Sequence, residues 1–222
     1  MMMSPDSYYE FLLSDKSEAE LLSEIRRLKR EMNRLKNTME HPDYANHVVV
    51  CPSEATQLNC LREYLQKAKL ALSDIGASYI PTKTEIKQQE FVSKIGDIKE
   101  IVFSIGGYCS GWSTYTITIA DSELIATVQE RGSDPLPFSI ENENGDPLSV
   151  EELWQIIKDL HIEEWKTNYT LRRFGYEVLD GTQWELILSY DRKRNFHKVY
   201  GDNSYPYNFD EFLSCFGIEF VK

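Results

Sequence analysis

Cysteine is scarce in this chain, and its spacing suits neither a bridge nor a metal. The four thiols stand at positions 51, 60, 109 and 215 with no C-x-x-C pair among them, so neither a zinc knuckle nor a disulfide framework is expected. A reducing, cytoplasmic compartment is the expectation that follows. Apolar runs of membrane-spanning length are also missing. The opening MMMSPDSYYEFLL has no basic region and only a short apolar stretch, so neither a membrane span nor a signal peptide is expected. Positive charge is in deficit: 24 Lys and Arg stand against 36 Asp and Glu, for a net charge of −12. Such a surface repels phosphate backbones and anionic membranes, which disfavours direct nucleic-acid binding and suits a basic protein partner. Nucleotide-binding glycine motifs are missing too. Residues 105–119, IGGYCSGWSTYTITI, hold three glycines, but the GGYCSGWS within them has neither phosphate-loop spacing and runs into a threonine-rich strand instead of a helix.

What is present is a globular composition, 41% hydrophobic and 27% charged over 222 residues, enough for one large domain or two small ones. Ser4-Pro5-Asp6 opens a short helix, with Pro at the first position, where its missing N–H is harmless. Ser17 with Glu20 forms a capping box. Behind it Leu21, Ile25, Leu28, Met32, Leu35 and Met39 recur at alternating steps of four and three, a coiled-coil-like heptad seam that His41-Pro42 ends. Ser53 starts a second helix of similar length whose Leu58, Leu61, Leu65, Ala68, Leu72 and Ile75 repeat the alternation until Gly76. Two matched seams joined by one loop predict an antiparallel helical hairpin over residues 1–80 that leans either on the rest of its own chain or on a second copy as a homodimer.

Residues 81–100 read as a connecting segment, compatible with a helix or an edge strand. From Ile101 the period changes to two. Ile101, Phe103 and Ile105 alternate, as do Tyr115, Ile117 and Ile119 against Thr114, Thr116 and Thr118, and a third strand is expected at 123–129. Ser149 with Glu152 caps a helix bearing Leu153, Ile156, Ile157 and Leu160. Asp180-Gly181 marks a tight turn into a strand with Trp184, Leu186, Leu188 and Tyr190 on one face, FHKVY (196–200) returns beside it, and Asn208 with Glu211 caps a last helix. Strands in adjacent runs with short turns predict the α+β class over 101–222: a mainly antiparallel sheet with helices packed on one face.

The candidate sites divide between chemistry and recognition. Cys109 has no local His or helix N-terminus to lower its pKa. NENGDPLSVE (142–151) carries Asn142, Asn144, Gly145 and Glu151 at calcium-loop spacing, but Ile140 occupies the first ligand position, so a turn followed by a capping box is expected. His41, Asp43 and His47 match no standard metal spacing. His161 reads as a helix-end residue, His197 as an exposed strand residue, and Glu163-Glu164, Asp180, Asp191 and Asp202 as surface or turn carboxylates. No catalytic residue, metal or cofactor is assigned. Recognition is better represented. GGYCSGWSTY and YGDNSYPYNF combine Tyr, Gly, Ser and Asn, the palette of binding loops, and single out Tyr108, Trp112, Tyr205 and Tyr207; the competing expectation is that these aromatics close the ends of a sheet. Arg26, Arg30 and Arg34 lie on a basic stripe between the seam residues, either pairing with nearby Glu or docking an acidic partner. The leading expectation is a non-catalytic cytoplasmic protein-interaction module, as an inhibitor, immunity-type, adaptor or regulatory protein. A small hydrolase or transferase built around Cys109 or a carboxylate pair is the second reading, and an acidic mimic that blocks a nucleic-acid-binding protein the third.

Overall fold

The computed structural model describes residues 3–107, 111–121, 123–142, 144–178, 180–190 and 195–218. The chain divides into two compact units, Met1–Thr82 and Lys83–Lys222.

The first unit is helical. Ser4 accepts from the Ser7 backbone N–H at 3.1 Å and opens α1 (Pro5–Leu12). The Glu20 carboxylate reaches back to the Ser17 N–H at 2.9 Å and starts α2 (Glu18–Met39), and Ser53 caps α3 (Glu54–Asp74). All six seam residues of α2 are buried. The seam foreseen on α3 is corrected: Leu58, Ala68 and Leu72 are buried with Tyr64 and Ala71, whereas Leu61 and Leu65 are only half-buried and Ile75 is 47% exposed. The cause is α1. Its Tyr8 ring stacks on Tyr64 at 3.9 Å, and the Tyr64 hydroxyl donates to the Met3 carbonyl at 2.6 Å. With α2 and α1 both packed on it, α3 needs a broad apolar face instead of a narrow stripe. At the tip, Tyr44 donates to Glu54 at 3.0 Å; midway along α2, Lys29 meets Tyr79 of the segment that follows α3. Those pairings make the hairpin antiparallel.

The second unit is a seven-stranded sheet with β1 (Glu100–Gly107), β2 (Gly111–Ala120), β3 (Glu123–Glu130), β4 (Leu136–Pro137), β5 (Asn168–Thr170), β6 (Gln183–Ser189) and β7 (Phe196–Asp202) in the order β4-β3-β2-β1-β6-β7-β5. Every pairing is antiparallel except β5 with β7. Period-two alternation fixes the inner face. Ile101 lies between Ile117 and Leu188, and Phe103 between Tyr115 and Leu186. Onto that face pack α4 (Lys83–Ser93), α5 (Val150–Asp159) and α6 (Phe209–Cys215): Phe91, Leu153, Ile157, Phe209, Phe212 and Leu213 share one buried cluster with the strand residues. Phe103 meets the rings of Phe209 and Phe212 edge-on at 6.0 and 5.0 Å. The opposite face carries Ser104, whose hydroxyl lies 3.0 Å from that of Thr114, and the ion pair of Lys198 with Glu185.

The stretch read as a connecting segment is structural. It holds α4, and Phe91, Ile95 and Ile98 are buried in the sheet unit's core. His197, read as exposed, stands opposite Leu188 on the inner face with its ring 4.7 Å from that of Phe91. One glycine is required by packing. A Cβ at Gly201 would lie 2.0 Å from the Trp184 indole nitrogen, which donates to the Ser204 carbonyl at 3.0 Å. The missing side chain lets that indole lie across β7.

Candidate functional site

Register places the two aromatic loops at one end of the sheet. Trp112, Gly106, Gln183 and Asp202 are paired in a row across β2, β1, β6 and β7, a span of roughly 14 Å at ordinary strand spacing. A Cβ at Gly106 would lie 2.1 Å from the Gly111 carbonyl, so glycine is needed where the hairpin narrows. Trp112 alternates away from buried Ile117 and is 41% exposed. Tyr108 and Cys109 lie outside the described residues, as does Asp191.

Tyr205 and Tyr207 have a different setting from Trp112. Both are half-buried against the core. The Tyr205 ring lies 4.9 Å from Phe209, and burial pushes its hydroxyl pKa up. The Tyr207 hydroxyl donates to Glu164 at 3.2 Å. Asn203, with a left-handed φ of 51°, accepts from the Thr182 N–H at 2.8 Å and fixes the 180–183 turn beside them. On α2, Arg34 pairs with Glu31 at 2.6 Å, which raises the guanidinium pKa. Arg26 and Arg30 are exposed, with no ion pair or hydrogen bond to another described residue. The arginine stripe is thus partly neutralised along its own helix.

The calcium-like sequence is a turn. Asn142 Oδ1 accepts from the N–H groups of Asn144 and Asp146 at 3.0 and 3.1 Å, Gly145 takes a φ of 80°, and Ile140 is buried. His41 accepts from the Asp43 N–H at 3.2 Å, and no described metal cluster includes either residue.

Two features, and a cleft among the first three helices, lay outside sequence reasoning. The first is the hairpin tip, where Val48 and Val49 are 86% and 93% exposed and Val50 follows them; the signal was three consecutive β-branched residues inside a loop. A cleft of about 450 Å³ also lies at the junction of α1, α2 and α3, lined by Met3, Leu12, Leu61, Arg27, Glu31 and Gln57 among others.

The second feature is the turn after α5. His161 adopts a left-handed φ of 50°, and a one-turn 3₁₀ helix, Ile162–Glu164, follows. That reversal brings the ligating atoms of His161, Glu163 and Glu164 within 4.8 Å of one another. His161 Nδ1 is 3.1 Å from Glu163 Oε1. Glu163 Oε2 is buried with no hydrogen-bond partner among the described residues. A buried clamp holds the turn: Trp165 Nε1 donates to Asn208 Oδ1 at 2.9 Å, and Asn208 Nδ2 donates to the Leu160 carbonyl at 2.7 Å. Asn208 stands at the N-cap position of α6, but its side chain serves this clamp and makes no capping bond.

Comparison with known protein families, curated proteins and solved structures finds no match to this chain.

Proposed function

We propose that this protein is a non-catalytic protein-interaction module that docks a partner through the tip and basic flank of its helical hairpin. The observation that carries the reading is the valine triplet. Val48 and Val49 stand almost fully in water at the end of a hairpin whose α2 seam is buried, and adjacent exposed apolar side chains mark contact surfaces. Arg26 and Arg30 add positive charge along the same hairpin, and Trp112 offers a second exposed anchor on the sheet unit. The α2 seam is consumed within the chain, so a homodimer would have to use another surface. The setting proposed is the cytoplasm, where the exposed thiol of Cys51 stays reduced. No helix among the described residues is long and apolar enough to cross a membrane.

The test compares captures from native host lysate by the wild-type chain and by three variants: V48S/V49S/V50S, R26E/R30E and W112A. Exposed substitutions of this kind change stability by about 0.5 kcal/mol or less, so circular dichroism should be unchanged. Loss of one and the same captured protein from the valine variant, with weakening in the arginine variant, supports the reading. Identical captures by all four proteins would remove it.

A further inference from the structure

The geometry points to a divalent transition-metal site of the zinc class formed by His161, Glu163 and Glu164, with at least one coordination position left to solvent or to an external ligand. Three observations converge on it. Two carboxylates and an imidazole meet within 4.8 Å, a donor set of one nitrogen and two oxygen ligands that suits zinc and its neighbours better than the all-oxygen shells of magnesium or calcium. The Glu163 side chain is only 11% exposed, and its Oε2 is buried with no partner among the described residues. A buried carboxylate oxygen left unpaired is unfavourable, and a cation between the two carboxylates satisfies it while relieving their repulsion. The mounting is rigid. Leu160, Ile162 and Trp165 are buried on either side of the ligands, and Asn208 ties both ends of the turn together.

Coordination requires side-chain rotation only. Metal–ligand distances of about 2.0–2.2 Å lie within reach once the Nδ1-to-Oε1 contact of 3.1 Å opens around the ion. His161 binds through Nδ1 as the neutral imidazole, with its one ring N–H on Nε2. Tyr207, through its bond to Glu164 at 3.2 Å, orients one ligand from outside the coordination sphere. The sheet unit also carries most of the protein's negative charge. Residues 1–82 hold 12 acidic and 10 basic side chains, leaving 24 and 14 of the total 36 and 24 for residues 83–222, a net of −10. That field concentrates cations near the site.

The test is calorimetric titration of the full chain with ZnCl₂, and separately with MgCl₂ and CaCl₂, alongside thermal melts with and without each ion. One equivalent of zinc should bind saturably and raise the melting midpoint, with no comparable response to magnesium or calcium. E163Q and H161N should each abolish that binding. Y207F should weaken it by about tenfold or more, as loss of an orienting partner does. The double variant H41Q/H47Q should bind like the wild type. E163Q also guards against a folding artefact: with the buried charge gone, its metal-free midpoint should equal or exceed that of the wild type. Absence of saturable zinc binding, its persistence in E163Q and H161N, or equal binding of calcium would each overturn the assignment.

Discussion

His197 shows how a single register position decides a residue's chemistry. In FHKVY it sits between an exposed aromatic and a lysine, and nothing local distinguishes the wet face of that strand from the dry one. Pairing with Leu188 puts it on the dry face against Phe91, where burial lowers its pKa below the ordinary 6.5 and its Nε2 is buried with no partner among the described residues. The unfolded chain therefore takes up a proton that the folded chain resists. Stability from this residue is fully present above the unfolded-state value and declines as the pH falls through it. Urea melts between about pH 7.5 and about pH 5, the range in which histidine titrates, should show the wild type losing stability on acidification. The variant H197L, which matches the apolar surroundings, should have a shallower dependence. Because the other three histidines are common to both proteins, the difference between the two curves isolates His197. Parallel curves would mean that the ring is solvated in the folded protein.

At the scale of elements, how much the sequence discloses depends on how many neighbours an element has. The α2 helix packs its apolar residues along one stripe, so its heptad letters and its six buried residues coincide. The α3 helix also supports α1, and a stripe rule misjudges Leu61, Leu65 and Ile75 while overlooking Tyr64 and Ala71. Two elements were illegible for other reasons: β5 has three residues, too few to show a period, and α4 buries only Phe91. The metal cluster escaped because H-x-E-E becomes a site only through the left-handed residue at 161 and a clamp from Asn208, which is 47 positions downstream of it in the chain. The difference between the two hairpin helices is measurable. L28A removes a fully buried side chain and should cost about 2–5 kcal/mol, whereas I75A, at a position the heptad marks equally, should cost about 0.5 kcal/mol or less. Chemical denaturation followed by circular dichroism distinguishes them. Similar losses would restore the uninterrupted seam on α3.

At the scale of the whole molecule, the two units hold separate cores. One cluster of buried side chains runs from Tyr8 to Leu72, and the other from Phe91 to Phe216, with no residue in common. The division falls at Thr82, immediately before α4, and so assigns Phe91, Ile95 and Ile98 to the sheet. A cut at residue 100 would strip those three side chains from the second core, and each buried aliphatic or aromatic side chain of that size contributes about 1.5–3 kcal/mol. Fragments 1–82 and 83–222 should therefore each fold alone, the first as a cooperatively melting helical protein and the second with its buried Trp165 and Trp184 protected. All four tryptophans, at 112, 154, 165 and 184, belong to the second fragment, so their fluorescence reports on that unit and nothing else. A fragment beginning at residue 101 should show red-shifted emission and a markedly lower denaturation midpoint than 83–222. Equal midpoints would show that α4 is not part of the sheet unit's core.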